Sequence, residues 1–571
     1  MSNRGVLGRS QAAAAGGERR RYRHESGDRY RIDRYDETPG FCSFLPGVAG
    51  RDGVPLWCFY VNRAQAIVAF GVCDKDHAIV EFLPATWAYQ LVGIQGFRTF
   101  CKIGGRYYEP FQRYPGGGAE DRCRAMWIEP DRIAILEQNR SLGLDFRVDY
   151  FTVANRPLPG LVRKLTVTNT SDEARDLGLL DGLPVIIPAT FNDFVLKKMR
   201  HITEAFASVE LLANGVPFYT PKTQGGDQAE VLEVEEGNFY AAWVLRGGAL
   251  EPVEPVVDPD VVFGDANDLV TPHLFVARGE IDPSAQLLEN RLPCALAPAS
   301  AALEAGESLV LLALAGWAPR SSMVPPFLSA LTHPGDFEAL ARDSAKVIES
   351  VTRPAFMLSA ERTLDAYARQ NLLDNVLRGG VPVLLPSKTG PAPVHMYARR
   401  HGDLERDYNE FLLPPHPLSD GPGNYRDVCQ NRRHDVWFHP GIADTEIRMF
   451  LELLQADGFN PLSVTGYRWR LANDDEASAL CPTDDPGARQ AFGAILRRPF
   501  SPGELLGWAD RHGVHIPDRQ AWLNELLSQC DRTLVARGHG GGYWIDHWTY
   551  ITDLLEAFAG VWPERVKDWL T

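Results

Sequence analysis

Leu309–Val351, LVLLALAGWAPRSSMVPPFLSALTHPGDFEALARDSAKVIESV, changes hydrophobic period partway along. Leu309–Ala313 is a compact apolar run of strand length. Beyond Pro334, the residues Phe337, Leu340, Val347, Ile348 and Val351 recur at the spacing of one helix face. Upstream of this stretch, from Tyr30 to about Ala318, the pattern alternates with period two. Trp57, Phe59 and Val61 share one face, and Ala66, Val68 and Phe70 resume it after Asn62-Arg63. Lys164–Asn169, the polar turn Ser171–Arg175 and Leu177–Ile187 read as a hairpin. Ile133–Leu136, Phe146–Val153 and Phe239–Val244 add strands. So many strands with few helical windows predict a large antiparallel sandwich.

Downstream the chain reads as helices. Leu364, Tyr367, Leu372, Val376 and Leu377 predict one that stops at Gly379-Gly380. Asp444 caps another, with Ile447, Phe450, Leu451 and Leu454 inward and Gly458 closing it. Ser501-Pro-Gly-Glu504 is a capping box. Leu523, Leu526, Leu527 and Cys530 mark the next helix, then Trp548, Ile551, Leu554, Leu555 and Phe558, and Pro563 starts a last one. The loop Leu412–Gly423 is long enough to be functional.

Composition bounds the rest. The 571 residues are 45% hydrophobic and 23% charged, so two or three domains are expected. Fifty-eight basic against 74 acidic residues give a net charge of −16, which argues against nucleic acid or an anionic membrane as main partner. The nine cysteines are scattered with no CxxC pair, so a reducing, cytoplasmic setting and no metal site are expected. The start of the chain is rich in Ala, Gly and Arg, and its only apolar run, Ala12–Ala15, is too short for a signal peptide. A disordered leader is expected there.

Two stretches carry chemistry. Asn424–Phe438, NYRDVCQNRRHDVWF, concentrates Tyr425, Arg426, Asp427, Gln430, Asn431, Arg432, Arg433 and Asp435. Guanidinium, amide and carboxylate groups suit sugar hydroxyls, which both donate and accept; a solvated loop before a helix is the alternative. Gly538–Asp553, GHGGGYWIDHWTYITD, sets Asp546 among Tyr543, Trp544, His547, Trp548 and Tyr550. Aromatic neighbours that exclude water would raise a carboxyl pKa, as an acid for a glycosidic leaving group requires. The other reading is an N-cap Asp opening the last long helix. His401–Phe411 adds Asp407, Tyr408 and Asn409 only if the chain folds back toward Arg426. There is no GxSxG elbow, P-loop or HExxH helix.

Cys42–Gly50 with Val54–Asp74, Gln95–Phe100, His401–Phe411, Asn424–Val436 and Tyr543–Tyr550 together resemble the 1,2-β-oligoglucan phosphorylases of glycoside hydrolase family 94, which also contains cellobiose phosphorylase. The likeness runs in order from about Tyr30 to the last residue. It implies a leader over 1–28, a β super-sandwich over 29–325, a helical linker over 326–380 and an (α/α)6 barrel, here incomplete, over 381–571. It also implies inverting phosphorolysis of β-1,2-glucooligosaccharides to α-glucose 1-phosphate and a shortened glucan, with inorganic phosphate as co-substrate and no cofactor. Phosphate is already an anionic nucleophile, so one protein acid suffices. By this resemblance Asp546 is the general acid. Arg426, Asp427 and Gln430 hold the glucosyl unit, Asn431, Arg432 and Arg433 shape the site, and Trp544 and His547 flank the acid.

Two departures stand out. Cys429 occupies a position where the family string has Asn. The helical part holds about six helices, half of such a barrel, and leaves no downstream sequence for the family's phosphate-binding residues. A homodimer or a complementing C-terminal polypeptide is the corresponding expectation. The rival expectations are a hydrolase, with Asp407, Asp435 or Glu556 as second carboxylate, and a non-catalytic carbohydrate-binding protein.

Overall fold

The computed structural model describes residues 21–25, 27–113, 121–199, 202–223, 234–266, 268–279, 281, 283–400, 412–471, 479–538 and 545–569. Its β half is built on an eleven-stranded antiparallel sheet. The spine comprises β1 (Leu144–Thr152), β2 (Gly160–Asn169), β3 (Gly237–Arg246) and β4 (Ser308–Ala318), with β2 paired to β1 and β4, and β4 to β3. Two four-stranded sheets lie beside it. One runs Ala295–Leu303, Arg175–Leu183, Arg98–Ile103, Arg106–Tyr108, and the other Cys42–Phe44, Trp57–Val61, Ile67–Gly71, Ala78–Val80.

All three sheets bury apolar side chains in one core. Phe146 and Leu165 enter it from the large sheet, Cys101 and Leu179 from the second, and Tyr60 and Phe70 from the third. One polar network crosses that core. Arg163 of β2 grips Asp181 of the second sheet through Nε at 2.8 Å and Nη2 at 2.6 Å, and Nη2 also reaches Gln65 Oε1 at 2.6 Å. Both ends of the pair are fully buried, so the charge is tolerable only because its hydrogen bonds are met.

The stretch Lys164–Ile187 is not the hairpin that its pattern predicts. β2 stays in the large sheet, while Arg175–Leu183 pairs with Ala295–Leu303 and Arg98–Ile103 in the second. Asn169 holds the corner, its Nδ2 donating to the carbonyls of Glu173 and Leu303. Trp57–Val61 is buried throughout, so its alternation sorts residues between two cores rather than between core and water. Within the expected leader, Tyr22–His24 is a strand paired with Tyr30–Asp33, and residues 1–20 lie outside the described residues.

Beyond the change of period helices predominate, although helices such as Ala85–Gln95 already lie within the β half. α1 (Pro334–Thr352) opens with a capping box on His333 and Asp336 and buries Phe337, Leu340, Val347, Ile348 and Val351. Its N-terminal half packs on the outer face of the large sheet, where Phe337 meets Trp243 edge-on at 5.2 Å. α2 (Arg362–Gly379) buries Leu372, Val376 and Leu377 but leaves Leu364 and Tyr367 exposed. After it come β5 (Val381–Leu385) and β6 (Ala392–Met396), an unexpected hairpin.

Further on come the short strand Gly423–Asn424, α3 (Tyr425–Arg432), the short helix Asp435–Phe438, α4 (Thr445–Glu452), β7 (Ser463–Arg470), α5 (Pro486–Leu496), α6 (Pro502–Arg511), α7 (Arg519–Ser528), β8 (Asp531–Arg537) and α8 (Ile545–Val561). A 3-10 turn, Pro563–Trp569, follows. The helices share a second large core around Tyr425, Phe450, Trp469 and Trp508. The two halves touch, with Gly50 N–H donating to Tyr397 Oη at 2.8 Å and Leu413 N–H to Cys73 O at 2.8 Å. Among the described residues no helix is long and apolar enough to cross a membrane.

Candidate functional site

A three-stranded sheet brings the two chemistry-bearing stretches together. Gly423–Asn424 pairs with β7, and β7 pairs with β8. Tyr425 N–H donates to Leu462 O at 2.9 Å and Leu462 N–H to Arg537 O at 3.1 Å. The first turn of α3 is therefore fixed beside the strand that leads toward α8. NYRDVCQNRR, weighed as a loop, is helical, and Tyr425, Val428, Cys429 and Arg432 form its buried stripe.

The opposite face carries the site. Arg426 Nη1 stands 3.9 Å from Asp546 Oδ2, in the first turn of α8. Arg426 Nε donates to Asp427 Oδ1 at 3.2 Å, and Asn424 Nδ2 to Asp427 Oδ2 at 3.1 Å. One guanidinium thus stands between two carboxylates, each near a helix N-terminus, where the backbone dipole favours negative charge. The Asp546 side chain is 43% exposed, and Trp548, two residues on, is also partly open to solvent. The described neighbours do not seal this carboxyl from water. Tyr543 and Trp544 lie outside the described residues, as do Asp407, Tyr408 and Asn409.

His547 turns inward. It is buried, stacks on Tyr425 at 5.0 Å, and accepts on Nδ1 a hydrogen bond from the Asn460 amide, which leaves the ring proton on Nε2. Burial holds its pKa below the ordinary histidine value, opposed by the nearby Asp546 charge. Tyr425 in turn donates to Phe450 O at 3.1 Å. Asn460, buried and missed in the sequence reading, follows the turn at Gly458.

The other expected residues divide. Gln430 is exposed on the outer face of α3. Asn431 donates to Asp427 O at 2.7 Å within the helix. Arg433 pairs with Asp553 of α8 at 2.9 Å, two turns along from Asp546, and lies over Tyr550. Arg432 points the other way: it is buried and donates through Nε to Gly379 O at 2.8 Å. Cys429 is buried beside it, and burial pushes its thiol pKa up, so it is no thiolate nucleophile. Of the carboxylates weighed for hydrolysis, Asp435 is buried in the helical core and Glu556 is exposed further along α8. Among the described residues two groups of His, Cys and acidic side chains lie close together, Cys73/Asp74/His77 and His395/Asp435/Glu446, and neither includes Asp546.

No family model matches the chain, and no curated protein matches it. Among solved structures it is similar to a bacterial glucoamylase complexed with acarbose, with TM-score 0.34 and 9% identity over 92% of this chain and 68% of that one. A GH92 α-mannosidase from Bacteroides thetaiotaomicron gives TM-score 0.29 and 10% identity over 74% and 49% of the two chains. A protein provisionally named a kojibiose phosphorylase, from the human microbiome, gives 0.22 and 7% over 63% and 33%. These neighbours are named as carbohydrate-processing enzymes. At such scores the likeness carries neither a fold nor an activity across to this chain.

Proposed function

We propose that this chain is a carbohydrate-active enzyme that cleaves a β-linked glucooligosaccharide at the meeting of α3 and α8, by inverting phosphorolysis. The observation that carries the reading is the convergence of Arg426, Asp427 and Asp546 from two distant stretches. Asp546 donates its proton to the departing glucan oxygen as the C1–O bond breaks. A phosphate oxygen attacks C1 from the opposite face, giving α-glucose 1-phosphate and a shortened chain. Arg426 and Asp427 bind ring hydroxyls of the glucosyl unit through charge-assisted hydrogen bonds. A bound sugar would cover the half-exposed Asp546 and supply the desolvation that the described protein groups leave incomplete. The resemblance to family 94 supports the β-1,2 linkage, the phosphate co-substrate, and the finer division into super-sandwich, helical linker and incomplete barrel.

The test is product analysis by NMR after incubating the chain with β-1,2-glucooligosaccharides and phosphate. Appearance of α-glucose 1-phosphate supports phosphorolysis. Hydrolysis is the second reading, because Arg426 joins Asp546 to a second carboxylate, Asp427, available as a base for water. It predicts free reducing sugar at a rate independent of phosphate. Saccharide binding in calorimetry without either product would leave only a binding role.

A further inference from the structure

Behind the candidate site, on the buried side of α3, three titratable side chains from different elements meet. His395 comes from β6, Glu446 from α4, and Asp435 from the short helix Asp435–Phe438 that follows α3; one ring nitrogen or carboxylate oxygen from each lies within 4.8 Å of the others. All three are at least nine-tenths buried. His395 Nε2 donates to Glu446 Oε1, which accounts for the imidazole and for one carboxylate oxygen. Glu446 Oε2 and Asp435 Oδ2 remain buried and without hydrogen-bond partners. Two acceptors cannot satisfy each other, and a buried acceptor left unmet destabilises the fold.

The charge around them decides what fills the gap. Arg432 of α3 is buried nearby, its Nη1 also unpartnered, and its charge acts on all three groups. Asp420, another neighbour, is engaged by Arg468 of β7 at 3.0 Å. The neutral Cys429 thiol of α3 and His439 also face the cluster. Burial holds His395 below its ordinary value, and in the neutral ring the contact with Glu446 places the proton on Nε2. One guanidinium against two ionised carboxylates leaves one uncompensated negative charge in the core. A single proton brings the cluster to neutrality and lets one carboxyl donate to the other. A dication would overshoot to net positive, and it would require the imidazole in its other tautomer, breaking the contact with Glu446.

We propose that Asp435 and Glu446 share one proton, forming a latch that ties the segment after α3 to α4 and β6 and loosens as pH rises. Desolvation and the neighbouring Glu446 charge both push the Asp435 carboxyl well above its ordinary value. The sign follows from linkage. A carboxyl raised in the folded state contributes its full stability below about pH 4, the unfolded value, and loses it as pH rises through the folded value. The latch stands independently of the sugar reading.

Thermal unfolding of the full chain, wild type beside Asp435→Asn and Glu446→Gln, tests this between pH 5 and 9. Asparagine at 435 donates to Glu446 without titrating. The wild-type midpoint should therefore fall about 2 °C per pH unit more steeply than that of Asp435→Asn over part of this range. Parallel slopes would overturn the proposal. So would a stoichiometric divalent metal in the purified wild type together with a midpoint lowered by chelator. Should the variants fail to fold, infrared spectroscopy of the wild type decides. A neutral carboxylic acid C=O band at pH 7 that bleaches on alkalinisation supports the shared proton, and its absence refutes it.

Discussion

Asp546 and Arg426 lie far apart in the chain and 3.9 Å apart in space, and each is ordinary without the other. Arg426→Ala should lower kcat/KM about 10- to 100-fold, the scale of one lost charge-assisted hydrogen bond, without moving the melting midpoint, since the side chain is half exposed. Asn460→Ala should act oppositely. It removes the hydrogen bond to the buried His547 and should cost about 1–3 kcal/mol in a denaturant titration. Part of the candidate site was legible in the sequence because Asp546, His547, Arg426 and Asp427 are polar groups crowded among aromatics. Arg432 was misgrouped with them. Read as a helix, Tyr425, Val428, Cys429 and Arg432 fall at one helical face, and that spacing would have turned Arg432 inward. Asn460 sits in an unremarkable turn with no such pattern.

At the scale of elements, local rules succeeded where the local signal was complete. The capping box at Ser501 forms with both reciprocal bonds, and Ser501→Ala should cost about 1 kcal/mol, read by chemical denaturation. Gly503, in the first turn of α6, admits no side chain: a Cβ there would lie 1.7 Å from Pro417 O. Gly503→Ala should therefore shift the long loop that ends at Gly423, and the loss should exceed that of Ser501→Ala in the same titration. β7 escaped notice because a register shift between Val464 and Gly466 breaks its alternation. The Lys164–Ile187 hairpin failed for a different reason. Period two says that a segment is a strand but not which strand it pairs with, and the corner at Asn169 sends the chain into another sheet.

For the molecule as a whole, the switch at Pro334 marked a real change of architecture, from sheets that share one core to helices that share another. What joins the sheets was invisible in the pattern, because Arg163 and Asp181 read as ordinary polar positions in alternating strands. Arg163→Ala should destabilise the β half by about 3–5 kcal/mol by stranding the buried Asp181 charge, measurable by urea unfolding. The proposed phosphorolysis depends on the Asp546 carboxyl at the start of α8. Its most direct test is the rate of α-glucose 1-phosphate release from a β-1,2-glucooligosaccharide with phosphate, wild type beside Asp546→Asn. Phosphate-dependent release that falls about 10²- to 10⁴-fold in the variant is the predicted result. Undiminished release by the variant, or no such product from the wild type, would contradict it.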